Sequence, residues 1–127
     1  MKKCIRTNRL PPPVGPYSQI VITNGFMFIS GQIAIDPVTG NLISDNTEEQ
    51  TRSILNAIRS VLEEQKLNLD SVIKVTVYLT SPNDFNAFNR VYAEYFTNTP
   101  PVRTTVFVNA LPKDAKVELD VIAAMVQ

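Results

Sequence analysis

The sequence predicts an α+β domain in which one mixed β-sheet carries two helices on a single face. Three observations support this prediction. The chain has 127 residues, about the size of one ordinary domain, so residues 1–127 are taken as a single unit. Its hydrophobic residues, 44% of the total, can fill a core and argue against intrinsic disorder. Long β-rich segments alternate with only two helical patterns, in the order ββ(β)αβαββ.

The N-terminal part contains a proline-rich segment followed by a predicted hairpin. Four of the nine prolines fall within residues 10–16, which favours an extended lead-in without helix. Two β-rich runs, residues 19–23 and 26–30, flank Asn24-Gly25, a pair that suits a tight hairpin turn. The regularly folded part of the chain is expected to start after the proline-rich lead-in. Residues 33–35 are a candidate extension of its second strand.

The first helix is predicted from a capping signal and an apolar stripe. Thr47-Glu48-Glu49-Gln50 has the spacing of a capping box, in which the Thr and Gln side chains each satisfy a free backbone N–H. The helix should begin here and run to about Gln65. One face is apolar, because hydrophobic residues recur at helical spacing at Ile54, Leu55, Ile58, Val61 and Leu62.

The second half of the chain repeats the alternation of strand and helix. Residues 72–79 alternate between apolar and polar, which predicts a strand. A shorter helix is expected after Ser81-Pro82. Two further strands, at residues 102–108 and from 116 to about 126, are joined by a turn at 112–114. The shorter helix has an aromatic stripe, more typical of core than of a stacking platform, at Phe85, Phe88, Val91, Tyr92, Tyr95 and Phe96.

The predicted sheet has one face that its own helices cannot cover. Several strands are apolar on both sides, but only two helices are available and both are expected on the same face. Association with other copies of the chain is the simplest way to cover the second face.

Composition excludes several classes of function. Lys plus Arg and Asp plus Glu are 12 each, so no net charge attracts nucleic acid or an anionic membrane. The chain has no histidine, which argues against serine or cysteine triads and His-based metal sites. The single cysteine, Cys4, cannot form an internal disulfide and fits a reducing, cytoplasmic location. The sequence contains no run of about 18 apolar residues, so no membrane span is expected.

Arg103 and Glu118 are the two charged residues that are most difficult to explain as ordinary surface residues. Arg103 lies inside a strand that is otherwise apolar or small, and Glu118 lies in a largely apolar strand, where an unpaired buried charge is costly. Arg103 is suited to grip a carboxylate through two parallel hydrogen bonds, or it pairs with a structural acid or faces solvent. Glu118 is suited to hold or activate a water, or it lies on an exposed face or pairs with Arg103. Alternation places Glu118, Asp120 and Ile122 on one face.

Two glycine-containing motifs are weaker candidates. In Gly15-Pro16-Tyr17-Ser18, the proline fixes the approach of the chain to Tyr17. In Ser30-Gly31-Gln32, Gly31 marks a bulge or lets backbone N–H groups come close to a ligand. Each motif taken separately is also compatible with plain turn chemistry.

Taken together, these segments resemble the Rid/YjgF family of reactive-intermediate deaminases. The matching pieces follow the family's order over nearly the whole chain, and only the ordered set is specific. They are Gly15-Pro16-Tyr17-Ser18-Gln19, Ile29-Ser30-Gly31-Gln32-Ile33, Asp36-Pro37 through Gly40, Gln50-Thr51-Arg52, Val75-Thr76-Val77-Tyr78-Leu79, Asn83-Asp84-Phe85, Pro101-Val102-Arg103, Leu111-Pro112-Lys113 and Val117-Glu118.

The resemblance implies a chorismate-mutase-like protomer in a homotrimer, with clefts between subunits. It also implies hydrolysis of enamines and imines, such as 2-aminoacrylate and 2-aminocrotonate, to 2-oxo acids and ammonia, without a cofactor or metal. Arg103 would bind the substrate carboxylate and Glu118 would position the attacking water. The rest of the pocket would be lined by Tyr17, Ser30, Gly31, Asn89 and Thr105.

Two features leave other functions open. Thr105 stands where many family members carry cysteine, and Thr104 follows Arg103 where Ser or Ala is commoner, so substrate preference is not fixed. The same cleft would also suit a non-catalytic module that binds a 2-oxo acid. A translation-inhibitor or chaperone-like role is a third possibility, although the balanced charge argues against RNA.

Overall fold

The computed structural model describes residues 1–125 of the chain. It contains six strands and two α-helices, with short 3₁₀ turns at Leu69–Ser71, Pro82–Asp84 and Pro112–Asp114. In chain order the elements are β1 (Lys3–Ile5), β2 (Ile20–Thr23), β3 (Phe26–Gln32), α1 (Thr47–Glu64), β4 (Val72–Leu79), α2 (Phe85–Tyr95), β5 (Val102–Phe107) and β6 (Val117–Ala124).

The strands form one mixed sheet in the order β1-β2-β3-β6-β4-β5. The β4–β5 pair is parallel and the other pairs are antiparallel. Alternate residues of β4 and β6 are buried against the helices, as Val77 and Leu119 show with no exposed surface. Ile54 and Leu55 of α1 and Phe88 of α2 belong to the same core. The predicted α+β class, with two helices on one face of a mixed sheet, is confirmed.

The hairpin and the alternating strand were predicted correctly. Asn24 and Gly25 take positive φ values of 51° and 80° between β2 and β3, as a tight turn of this type requires. In β6, Glu118, Asp120 and Ile122 are half-buried while the residues between them are buried. Local periodicity was sufficient in both places because each strand has one covered face.

The predicted cap of α1 was wrong by one residue. Asn46 is the N-cap, and its side chain accepts a hydrogen bond from the backbone N–H of Glu49 at 2.9 Å. Thr47 is the first helical residue, and its buried hydroxyl has no hydrogen-bond partner. Gln50 instead donates to the carbonyl of Ser44 and accepts from the N–H of Lys116, at 2.8 and 2.9 Å. Its buried amide therefore joins α1 to the start of β6.

Other strand limits also differ from the sequence prediction. The prediction overlooked β1, which pairs with Ile20, Val21 and Ile22 of β2. Residues 33–35 do not extend β3, which ends at Gln32; Ile35 makes only an isolated bridge to Leu42. The register of β3 with β6 shifts between Ile29 and Gln32, which agrees with a bulge, one of the two expectations for Gly31. The last strand ends at Ala124, and the predicted end at residue 126 lies outside the described residues.

The sheet face opposite the helices, called the open face here, carries large apolar side chains. Phe26 and Phe28 of β3 are 41% and 40% exposed, and Val102 and Val106 of β5 are 67% and 37% exposed. None of the helices in residues 1–125 has the length and apolar composition needed to cross a membrane.

Candidate active site

One cleft, of about 380 Å³, contains several of the predicted site residues. The proline-rich segment, the 33–40 loop and the turn at Pro112 and Lys113 surround it, and Tyr17, Gly31 and Glu118 line it. A second cavity of about 420 Å³ lies beside Arg6, Thr7 and Asn8 and contains none of the predicted residues. We therefore take the cleft as the candidate site.

Glu118 reaches the cleft because of its position in β6 and because Gly31 has no side chain. It stands opposite Tyr78 of β4, on the open face of the sheet. A Cβ added at Gly31 would overlap the Glu118 carboxylate and lie 3.0 Å from its carboxyl carbon. Gly31 is thus required for this close approach of strand and carboxylate.

The environment of Glu118 favours its protonated form. Burial raises the pKa of this carboxyl, and the negative charge of Asp120 raises it further. Asp120 itself accepts a hydrogen bond from the Tyr78 hydroxyl at 3.0 Å. Such a shift moves a carboxyl towards the range in which it can exchange protons near neutral pH.

Tyr17 and Ser30 are held by local hydrogen bonds at this end of the sheet. The N–H of Tyr17 donates to the carbonyl of Gly15 at 2.9 Å, and the residue is 50% exposed. The Ser30 hydroxyl donates to the carbonyl of Ser18 at 2.5 Å, and the Ser30 N–H donates to the carbonyl of Gln19 at 3.0 Å. These contacts connect the Gly15–Ser18 motif to β3, so the two glycine-containing motifs lie together.

Arg103 lies on the other face of the sheet, against α2. It stands opposite Val75 in the β4–β5 ladder, and its guanidinium carbon is 4.9 Å from the centroid of Tyr92. The centroids of Phe88 and Phe85 are 5.6 and 5.8 Å away. The half-buried side chain forms no ion pair within residues 1–125. It is therefore neither paired to a structural acid nor directed freely into solvent.

Two buried hydroxyl groups accompany Arg103. The Thr105 hydroxyl, two residues further along β5, is buried without a hydrogen-bond partner, as is the hydroxyl of Tyr92. Burial raises the pKa of Tyr92 to about 12, although the charge of Arg103 opposes this shift. The phenol therefore stays protonated at neutral pH. Asn89 is half-buried on α2, directly after Phe88.

The predicted residues thus form two separate clusters in one protomer. The first, the cleft cluster, contains Tyr17, Gly31 and Glu118, which line the cleft, with Ser30 next to Gly31 in β3. The second, the arginine cluster, contains Arg103 and Thr105 on β5; Asn89 lies on α2, the helix whose rings face Arg103. The two clusters are directed to opposite faces of the sheet, and β4 separates β5 from β6.

Sequence reasoning missed the aromatic contacts of Arg103, since it interpreted the stripe on α2 as core. Phe88 and Tyr92 are indeed buried, but with Phe85 they also face the guanidinium. Their spacing of three and four residues places the rings on one helix face and could have indicated a surface for a cation.

Within residues 1–125, no group of three or more His, Cys, Asp or Glu side chains is placed to hold a metal ion. The arrangement instead offers a free guanidinium, a half-buried carboxyl and several hydroxyl groups. These groups can bind an anion, hold a water and move protons.

The fold and these clusters define a small α+β protein whose polar groups suit a small anionic ligand. The family model for endoribonuclease L-PSP matches residues 7–125, so the chain belongs to this family, which includes the Rid and YjgF proteins. The family resemblance seen in the sequence is confirmed.

Several relatives are similar over almost their whole length. A RutC family protein of Pyrococcus horikoshii is 48% identical, over 97% of this chain and 98% of the relative. The solved structure of YyfA, a Rid family protein of unknown function from Yersinia pestis, is 43% identical, covers 98% of this chain and 99% of its own, and has a TM-score of 0.91. The structure of E. coli TdcF, solved with bound serine, is 38% identical, covers 96% of this chain and 98% of its own, and has a TM-score of 0.88.

Proposed function

We propose that the protein is an imine and enamine deaminase that converts small 2-imino acids to 2-oxo acids and ammonia. The observation that carries this proposal is Arg103, a half-buried cation that no carboxylate of residues 1–125 neutralises. A guanidinium in this state is suited to bind a carboxylate supplied by a ligand. Glu118, with its raised pKa, supplies the acid–base group.

The proposed active site is assembled between two copies of the chain. Arg103 and Glu118 belong to opposite faces of one sheet, so a single protomer presents two incomplete halves. The exposed apolar residues of the open face, Phe28 and Val106 among them, provide a surface for association. We propose a cyclic homotrimer, in which the arginine cluster of one copy lies beside the cleft cluster of the next and no interface is left free.

The proposed reaction needs orientation and proton transfer more than a strong nucleophile. Arg103 binds the carboxylate of the 2-imino acid, and the C=N carbon is directed towards a water held by Glu118. The water oxygen bonds to this carbon as Glu118 accepts its proton, and the C=N electron pair moves to nitrogen, which takes up a proton. In the resulting carbinolamine the amino nitrogen takes up a second proton and leaves as ammonia, while the hydroxyl proton is removed and the C=O bond forms. One water is consumed for each ammonia released.

Enamines enter the same route through their imine tautomers. A proton added to the terminal carbon of 2-aminoacrylate, with loss of one from nitrogen, gives 2-iminopropanoate. Because the imine carbon is already electrophilic, no histidine-activated nucleophile is required. Positioned acid–base groups of this kind commonly contribute about 10²- to 10⁴-fold in rate.

A solved relative supports the class of ligand. E. coli TdcF binds serine, which carries a carboxylate next to a carbon bearing nitrogen. The proposed substrates have the same two groups on adjacent carbons, so an arginine that binds one carboxylate is chemically suited to the other.

The proposal is tested by following pyruvate release from 2-aminoacrylate generated from serine by a dehydratase. We expect the wild-type protein to accelerate release above the spontaneous rate and Arg103→Ala to abolish that acceleration. Arg59→Ala is the matched control, because Arg59 also lies over an aromatic ring, that of Tyr95 at 5.3 Å, but is exposed on α1. Equal acceleration by Arg103→Ala and wild type would refute the proposal. Calorimetric binding of 2-oxobutanoate without turnover would instead indicate a binding module.

A further inference from the structure

Three aromatic rings surround the guanidinium of Arg103, and we call Phe85, Phe88 and Tyr92 the aromatic box. All three belong to α2 and lie on one helix face because they are three and four residues apart. Their ring centroids are 5.8, 5.6 and 4.9 Å from the guanidinium carbon, all within the range of cation–π attraction.

The surroundings of Arg103 differ from those of three other arginines of the chain. Arg9, Arg52 and Arg90 each form an ion pair with a glutamate, at 3.3, 2.7 and 3.1 Å. A carboxylate neutralises the guanidinium and also occupies its N–H donors. Arg103 has neither an ion pair nor a side-chain hydrogen bond within residues 1–125, so its donors are not consumed by the protein.

Aromatic faces can hold a cation without consuming its donors. The electron-rich face of a ring attracts the charge, whereas the five N–H groups of a guanidinium lie in its plane. The buried hydroxyls of Tyr92 and Thr105 accept no hydrogen bond from Arg103 either. The charge is thus offset in a partly buried position while the N–H edge stays available to an external carboxylate.

We propose that the aromatic box positions Arg103 for its ligand and sets the affinity of the site for carboxylates, with Phe85, Phe88 and Tyr92 acting as positioning residues. The inference rests on the proposed function, in which Arg103 binds the substrate carboxylate. That carboxylate does not take part in bond making, so a displaced Arg103 weakens substrate and transition state alike. Loss of a ring should therefore raise KM and leave kcat largely unchanged.

The test is the steady-state kinetics of Tyr92 variants in the dehydratase-coupled assay. Tyr92→Leu removes the nearest ring, and we expect KM to rise about three- to tenfold while kcat changes less than about twofold. Tyr92→Phe retains the ring and should restore the wild-type KM. Phe96→Leu is the matched control, because the Phe96 ring packs on Tyr92 at 4.7 Å but is not a member of the box.

A second variant covers the case in which Tyr92→Leu does not fold. Phe85 is only half-buried, so Phe85→Leu should fold and raise KM in the same direction. If folded Tyr92→Leu or Phe85→Leu keeps the wild-type KM, or if Phe96→Leu raises it equally, the inference is overturned.

The results that would refute the proposed function differ from those that would refute the aromatic box. Wild-type protein that binds 2-oxobutanoate but releases no pyruvate from 2-aminoacrylate would refute deamination, and the box would then be judged from the Kd ratio of the same variants. A higher Kd for Tyr92→Leu with recovery in Tyr92→Phe would support it, and equal Kd values would overturn it. Wild-type protein with neither binding nor turnover overturns both.

Discussion

Arg103 and Glu118 are directed to opposite faces of the same sheet, with β4 lying between their strands. Arg103 stands opposite Val75, whose side chain is buried towards the helices, and Glu118 stands opposite Tyr78 on the open face. We therefore propose that a substrate in contact with both groups lies between two protomers. This relationship makes the quaternary structure part of the proposed chemistry.

Gly31→Ala should disable the cleft. A Cβ at this position would overlap the Glu118 carboxylate, which has to move away. Displacing a catalytic group by about 1 Å commonly costs on the order of 10²-fold in rate, and we expect a loss of this size in kcat/KM. Gly15→Ala controls for the loss of a glycine as such, because its Cβ would meet only the Tyr17 ring at 3.6 Å. A fully active Gly31→Ala would show that the position of Glu118 does not matter.

Glu118→Gln should lower the activity of the protein and raise its stability above neutral pH. The pKa of Glu118 is raised by burial and by Asp120, so the folded chain binds its proton more tightly than the unfolded chain. Stability therefore falls as pH rises through the interval between the unfolded and folded pKa values, and an uncharged Gln escapes this loss. We expect a higher urea midpoint than wild type at about pH 8, a difference that shrinks towards about pH 4, and a kcat about 10²- to 10⁴-fold lower. A stability difference that grows on acidification would contradict the assignment.

Asp120→Asn should move the acid limb of the pH–rate profile. The negative charge of Asp120 contributes to the raised pKa of Glu118, so its removal lowers that pKa. If ionised Glu118 accepts the proton of water, activity should then persist to lower pH in plots of kcat/KM. Tyr78→Phe is the companion variant, because it deletes the 3.0 Å hydrogen bond to Asp120 but leaves the carboxylate. An acid limb that stays in place in Asp120→Asn would argue against Glu118 as the base.

Asn46→Ala and Thr47→Val separate the two candidate caps of α1. Only the Asn46 side chain accepts a hydrogen bond from the helix N-terminus, so Asn46→Ala should lower the free energy of unfolding by about 1 kcal/mol. The Thr47 hydroxyl is buried without a partner, and Thr47→Val should cause no loss. Urea unfolding at one fixed protein concentration compares them, since association also affects stability. A larger loss of unfolding free energy in Thr47→Val than in Asn46→Ala would show that Thr47 caps the helix, as the capping box predicted.

Local sequence patterns were sufficient for most of the fold. The hairpin at Asn24-Gly25, the two helices and the alternation of β6 each leave a short-range signature of turn chemistry or periodicity. The edge strand β1 has no such signature, because Lys3, Cys4 and Ile5 become a strand only by pairing with β2. The cap also escaped prediction, since both Asn46 and Thr47 are good capping residues, and the Gln50 side chain, which a capping box on Thr47 would use, bonds to Ser44 and Lys116 instead.

For the candidate site, the sequence indicated which residues to consider but not how they are arranged in space. The strand positions of Arg103 and Glu118 indicated that both needed an explanation. Local alternation gives the face of Glu118, but the strand order that places β4 between β5 and β6 depends on long-range pairing, which no local pattern encodes. The packing of α2 over β5, which places three rings at Arg103, is likewise a long-range contact.

Mixing two inactive variants tests the shared site most directly. Arg103→Ala keeps an intact Glu118, and Glu118→Gln keeps an intact Arg103, so a site formed between unlike copies can contain both wild-type groups. After unfolding and refolding of an equal mixture, about one quarter of the sites should be intact, and activity should return to about one quarter of wild type. Activity no higher than the mean of the two variants, in a sample whose mass spectrum shows mixed oligomers, would contradict a site completed by a second protomer.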